Sequence, residues 1–206
     1  MPDFVIEQRY APERICGVDE AGRGPWAGPV VAAAFLFLPE ATPPEGLNDS
    51  KLLTAKRRAQ LFEALHRRTD VAFGIAQASC EEIDALGIWN ATQLAMRRAY
   101  ATMPQKADRA LIDGNLRPAD FPCPTLPIIG GDGLSLSIAA ASILAKVTRD
   151  RLMAEYARQF PHYGFEQHAG YGTRQHREAI AQYGVCPIHR RSYAPIREAL
   201  RIQEAA

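Results

Sequence analysis

The sequence predicts an α/β fold, a mixed sheet with helices packed on it. Three observations predict it. Short apolar runs bounded by turn residues recur as far as residue 129, and longer segments of helical periodicity lie between and after them. At 206 residues, 47% hydrophobic and 23% charged, the chain is long enough for one good core and too short to demand two.

The first run, ICGVD at 15–19, reads as a buried strand, and PVVAAAFLFL at 29–38 as a second. The Pro-rich PEATPPEG at 39–46 is a loop, after which TAKRRAQLFEALHRR at 54–68 has helical spacing. VAFGIAQAS at 71–79 is a third strand, IWNATQLAMRRAYATM at 88–103 a helix, RALID at 109–113 a fourth strand and PTLPII at 124–129 a weaker fifth. The long segment 135–160 follows as a helix, with Leu136, Ala140, Ile143 and Val147 on an apolar stripe and Ser142, Lys146 and Arg149 on another face. That polar face is open to two uses, solvation or a grip on phosphates. From Thr173 on, helical pieces are broken at YGVCPIHRRSYAP.

Charge divides the chain. Residues from 135 onward carry ten Lys/Arg against six Asp/Glu, whereas residues 1–134 carry fourteen against seventeen, which leaves two readings open: an acidic half for chemistry with a basic half for a polyanion, or an uneven spread by chance. No apolar run approaches the ~20 residues that span a bilayer. The opening MPDFVIEQRYAPER has neither a basic n-region nor an apolar h-region, so no secretory leader and a cytoplasmic location are expected. Cys16, Cys80, Cys123 and Cys186 form no CxxC pair, which leaves no zinc or thioredoxin-type motif.

Four acids stand where strands end or helices begin. Asp19 and Glu20 close the first strand, Asp113 ends the fourth, and Asp132 lies in GGDG ahead of the long helix. Taken singly, Asp132 fits a helix N-cap and Asp113 a turn. Taken together they would repel unless cations filled the site, and an oxygen-only donor set suits Mg²⁺ or Mn²⁺. Two such ions could activate water and stabilise the leaving oxygen of a phosphoryl displacement. GVDEAGRG mimics P-loop spacing but has Arg23-Gly24 where Lys-Ser/Thr is required, and GRGPWAG gives GxGxxxG with Pro25 and Pro29 breaking the helix, so no nucleotide cofactor is implied.

In order along the chain, ICGVDEAGRGPWAGPVVAAA, NDSKLLTAKRR, LIDGN, GDGLSLSIAAASILAKVTRDRLM, YGFEQHAGYGTRQH and PIHRRSYAP resemble the type 2 ribonucleases H, the bacterial ribonuclease HII family. The resemblance covers nearly the whole chain. It implies a ribonuclease H-like fold: a mixed five-stranded sheet flanked by helices as a catalytic core over 1–160, with a small helical C-terminal part over 161–206 packed on it. It implies that Asp19, Glu20, Asp113 and Asp132 are catalytic and bind divalent Mn²⁺ or Mg²⁺. The reaction implied is hydrolysis of RNA in RNA/DNA hybrids, and of ribonucleotides embedded in duplex DNA on their 5′ side, leaving 3′-hydroxyl and 5′-phosphate ends in DNA repair and replication.

The same resemblance makes Gly22, Arg23 and Gly24 the loop that detects the ribose 2′-hydroxyl, its glycines allowing close approach and positive φ. Tyr171 matches the tyrosine that stacks on the sugar at the RNA-to-DNA junction. Ser50 and Lys51 match a phosphate-holding motif, with Ser142 and Lys146 as further substrate contacts, while Arg190 and Arg191 are expected to lock the C-terminal part through ion pairs. Two positions depart from the pattern: Trp26 stands where Leu is commoner, and Gly130 where Lys often precedes Gly-Asp. A monomer is expected, and the tail EALRIQEAA lacks a sliding-clamp peptide. Two rivals stay open: a non-catalytic duplex binder holding a structural cation, which would release no products, and a junction resolvase, against which the GRG loop and tyrosine speak.

Overall fold

The computed structural model describes residues 1–115 and 117–204. Five strands form one mixed sheet in the order β3-β2-β1-β4-β5. They are β1 (Ile15–Ala21), β2 (Val30–Phe37), β3 (Val71–Ala78), β4 (Arg109–Asp113) and β5 (Thr125–Ile128). The first three form an antiparallel meander, and β4 and β5 then continue parallel to β1. β2 needs no polar alternation because both its faces are covered: Ala32 and Ala34 point into one core layer and Ala33 into the other, all at 0% exposure.

One face of the sheet is covered by α3 (Cys80–Leu86) and α4 (Ile88–Thr102), whose Ala91, Ala95, Met96 and Ala99 meet Cys16, Val18 and Ile112. The other is covered by α2 (Ala55–His66) and the long α5 (Leu136–Gln159). A Cβ at Gly17 would run into the backbone of Ser137 and Ile138, so α5 lies directly on β1 only because that position is glycine. The start of α5 is capped by Ser135, whose hydroxyl accepts from the Ile138 amide at 3.2 Å.

Past α5 the chain forms α6 (Phe165–His168), α7 (Arg174–Tyr183) and α8 (Ala194–Glu204), which gather around Phe165, Ile180, Ile188 and Ile196. Ala27, from the loop after β1, and Met153 of α5 belong to the same cluster. The short α1 (Val5–Gln8), α3 and α6, and the 3-10 turns Ser50–Leu52 and Gly131–Gly133, are local elements that the hydrophobic periodicity does not announce. Among the described residues no helix is long and apolar enough to cross a membrane.

Candidate metal centre and nucleic-acid cleft

Strand geometry brings the acids together. β1 and β4 run parallel with Val18 opposite Ile112, so one step on, Asp19 and Asp113 stand side by side at the C-terminal ends of adjacent strands. Both share the face of Gly17 and Leu111, the face under α5. Asp132 arrives from the turn before α5, and Asp113 fixes that turn: its Oδ1 accepts from the Gly131 amide at 2.8 Å and the Asp132 amide at 3.4 Å. Oxygen atoms of Asp19, Asp113 and Asp132 all lie within 4.8 Å of one another. Asp132 is therefore not the N-cap of α5, a position Ser135 fills.

Glu20 parts from this group. Alternation along β1 turns it to the other face, towards Trp89 and Met96, where its carboxylate meets the Arg23 guanidinium at 3.3 Å. It reaches the same cleft from the rim.

The cluster is electrostatically uncomfortable, as a site built for cations should be. Burial, then the Glu20 and Asp113 charges, holds the Asp19 carboxyl well above the usual carboxylate range, with the Ser142 hydroxyl offsetting part of the effect. Burial and Asp132 raise Asp113, and burial raises Glu20 against the pull of Arg23. Lys51 Nζ lies 3.0 Å from Asp132 Oδ2 and supplies one positive charge. Buried carboxylate oxygens with no sulfur or imidazole among them fit a hard divalent cation.

Around the acids is a cleft of about 330 Å³. Gly22, Arg23 and Gly24 form one wall, and Tyr171 stands opposite with half its surface exposed. Gly22 has φ 100°, the left-handed backbone that favours glycine, whereas Gly24 does not. A Cβ at Gly24 would only touch Tyr171 Cε1, at 3.4 Å, which places the Tyr171 ring against this end of the loop. Ser50 and Ser142 share a buried hydroxyl contact at 2.9 Å that pins the 50–52 turn onto α5, and Lys51 and Lys146 line the floor, with Lys146 paired to Asp150 at 2.7 Å.

Two arginines beneath the loop differ from expectation. Arg149 neither faces solvent nor is free to grip phosphate: it is 1% exposed and donates to the carbonyls of Pro29, Ala169 and Ala27 at 3.0–3.1 Å. Burial and the nearby Arg190 hold its pKa down to about 10. Arg190, at 0% exposure, does lock the C-terminal part, but through carbonyls and not ion pairs: it donates to Gly22, Arg23 and Gly28 at 2.5–2.9 Å. With their carbonyls held inward, residues of the GRG loop turn towards the cleft. The sequence offers little signal for this, since a buried guanidinium served only by main-chain oxygens has no partner of opposite charge to find. Arg191 joins through its amide, which donates to Asp84 at 2.8 Å. Trp26 packs against Gly172 and His176, and Gly130 takes the left-handed conformation at φ 65°.

A family profile for ribonuclease HII matches residues 16–196. A ribonuclease HII of Ruegeria pomeroyi is 54% identical over 202 residues, spanning 97% of this chain and 85% of that protein. One from Paracoccus denitrificans is 51% identical over 208 residues, spanning 100% and 98%. Among solved structures, the ribonuclease H2 of Pyrococcus horikoshii superposes with a TM-score of 0.78 at 26% identity, covering 94% of this chain and 100% of that one. Sheet order, acidic cluster and sequence agree: the chain belongs to the ribonuclease HII family, metal-dependent ribonucleases that act on RNA/DNA hybrids.

Proposed function

We propose that this enzyme also cuts at ribonucleotides embedded in duplex DNA, on their 5′ side, leaving 3′-hydroxyl and 5′-phosphate ends and so opening the way to ribonucleotide removal. The observation that carries this reading is that the Gly22–Gly24 loop lines the same cleft as Asp19 and Asp113 of the acidic cluster. Divalent ions, Mg²⁺ or Mn²⁺, held by Asp19, Asp113, Asp132 and, from the rim, Glu20, would supply water activation and charge stabilisation at the leaving oxygen. Gly22 and Gly24 let the main chain approach a 2′-hydroxyl, and Arg190 holds that main chain in place. The exposed Tyr171 ring offers an apolar face to the following deoxyribose. Ser50, Lys51, Ser142, Lys146 and Arg23 line the same cleft and would meet phosphates of a bound strand. On this reading residues 1–160 carry the acids, 161–206 bring Tyr171, and a monomer suffices.

Digestion of DNA duplexes bearing zero, one or four ribonucleotides tests it, with the cut position mapped in Mg²⁺ and in Mn²⁺. Cleavage 5′ of a single ribonucleotide and none of the all-DNA duplex is the expected result. A protein that cuts only the four-ribonucleotide duplex would lose the junction reading, and one that binds and cuts nothing would be the non-catalytic rival.

A further inference from the structure

Three buried histidines, His168, His176 and His189, lie behind the cleft in the C-terminal part. Their hydrogen bonds form a line with a direction. The Cys186 amide nitrogen is 3.0 Å from His189 Nδ1, His189 Nε2 is 3.0 Å from His176 Nε2, and His176 Nδ1 is 2.9 Å from the Tyr171 carbonyl oxygen. His189 Nδ1 also lies 3.2 Å from the Cys186 carbonyl oxygen and 3.1 Å from the Cys186 sulfur, so that end alone does not fix its proton. At the other end the Tyr171 carbonyl can only accept, and for two neutral rings this determines every proton along the line. The His176 proton sits on Nδ1 and is donated to Tyr171, so His176 Nε2 accepts. The His189 proton therefore sits on Nε2, and Cys186 N–H donates to His189 Nδ1. A further proton on His176 would set N–H against N–H at the central contact, and one on His189 would set Nδ1–H against the Cys186 amide.

Both ends of the line touch the proposed reading apparatus. Tyr171 receives the last bond, and its own amide donates to the His168 carbonyl at 2.9 Å, so its backbone is held from both sides. His189 forms an isolated antiparallel bridge with Ala27, while the Arg190 amide donates to Trp26 and the Gly28 amide to Ile188. The relay thus spans from the continuation of the GRG loop to the residue whose ring faces that loop. Burial holds His176 and His189 at about 4, so the neutral relay persists at physiological pH. The titratable groups facing the pair are His168, stacked on His176 at 4.6 Å, Tyr163, and Cys186, whose thiol burial pushes up to about 11. Among the described hydrogen bonds no carboxylate reaches any of the three rings.

The geometry points to His176 and His189 as positioning residues for ribonucleotide recognition: their fixed-tautomer relay sets the Tyr171 backbone relative to the GRG loop, and with it the distance between ring and sugar. This rests on the reading of Tyr171 given above, and the experiment separates the two. Cleavage at one embedded ribonucleotide is compared with cleavage of a continuous hybrid for Tyr171→Ala, His176→Leu, His176→Asn and the Tyr171→Ala/His176→Leu pair, each with a melting curve. His176→Leu should lower the single-ribonucleotide to hybrid ratio by about 10- to 100-fold, the penalty of a displaced contact. His176→Asn, whose carboxamide N–H can replace the Nδ1–H towards Tyr171, should recover most of it, and the double variant should be no worse in ratio than Tyr171→Ala alone. If Tyr171→Ala shifts the ratio and His176→Leu does not, the relay is wrong and the tyrosine reading stands; if Tyr171→Ala leaves the ratio unchanged, both fall. Nitrogen NMR of the unsubstituted protein at pH 7 decides the matter even if His176→Leu does not fold. Nδ1–H on His176 with Nε2–H on His189 supports the relay, and a charged ring or Nε2–H on His176 overturns it.

Discussion

Asp19 and Glu20 are neighbours in sequence, yet strand alternation sends the first under α5 to Asp113 and the second to the rim beside Arg23. The cluster proper is therefore Asp19, Asp113 and Asp132, three acids with one ammonium, Lys51, beside them. Replacing Asp19 or Asp113 by its amide preserves the bonds each accepts, from the Glu20 amide at 2.7 Å and the Gly131 amide at 2.8 Å, while removing a ligand charge. Activity with Mg²⁺ or Mn²⁺ should fall at least about 100-fold, more than the loss of a residue that merely orients a ligand. The metal-free variant should melt higher than the parent, because one like charge has gone from a buried group. Near-parental turnover by either variant would remove these residues from the metal site. That Asp19 and Asp113 stand near strand ends was legible in the sequence. That Asp113 also builds the turn presenting Asp132 was not, because a hydrogen bond across 18 residues leaves no mark in local sequence.

Helix α5 shows how an element can be legible while its faces are misjudged. Its length and its apolar stripe are plain from periodicity, and it runs Leu136–Gln159 as the spacing predicts. Arg149 breaks the pattern, because a face that is polar in sequence is buried when main-chain carbonyls converge on it. The short α3 was signalled by chemistry, not by periodicity: Ser79 and Glu82 make a reciprocal capping box. Of the α5 residues that line the cleft, Ser142, Lys146 and Arg149, Lys146 is the one that is not buried, and Lys51 joins it from the 50–52 turn. If both neutralise backbone phosphates, alanine at either should weaken binding to hybrid and all-DNA duplexes alike. The slope of log affinity against log salt should become shallower by about one unit for each. An unchanged slope for Lys146→Ala would mean that Asp150 already answers its charge.

At the scale of the whole molecule, the C-terminal helices are joined to the sheet through a few buried bonds that meet at the GRG loop. Their helical character could be read from the sequence, but the partner they dock on could not, since Ala27 and Met153 come from elements far apart in the chain. Arg190 is the centre of this junction. It serves the carbonyls of Gly22, Arg23 and Gly28 and the Tyr193 hydroxyl, and its own amide donates to Trp26. Arg190→Met keeps much of the volume and takes the donor from the Gly22 and Gly28 carbonyls, each worth about 1–3 kcal/mol, while the Tyr193 hydroxyl still donates to Arg23 at 2.7 Å. A loss of at least about 2 kcal/mol should follow, and for a chain of this length that lowers the melting temperature by roughly 4–8 °C. Lysine is a single point donor and cannot reach three carbonyls in a fork, so Arg190→Lys should recover little. Limited proteolysis gives the location: if Arg190 ties the C-terminal part to the loop, cleavage in both variants should begin between Tyr183 and Ala194, where α7 gives way to α8. A variant that melts like the parent and resists protease there would show that apolar packing around Phe165 and Ile196 holds the junction without the guanidinium.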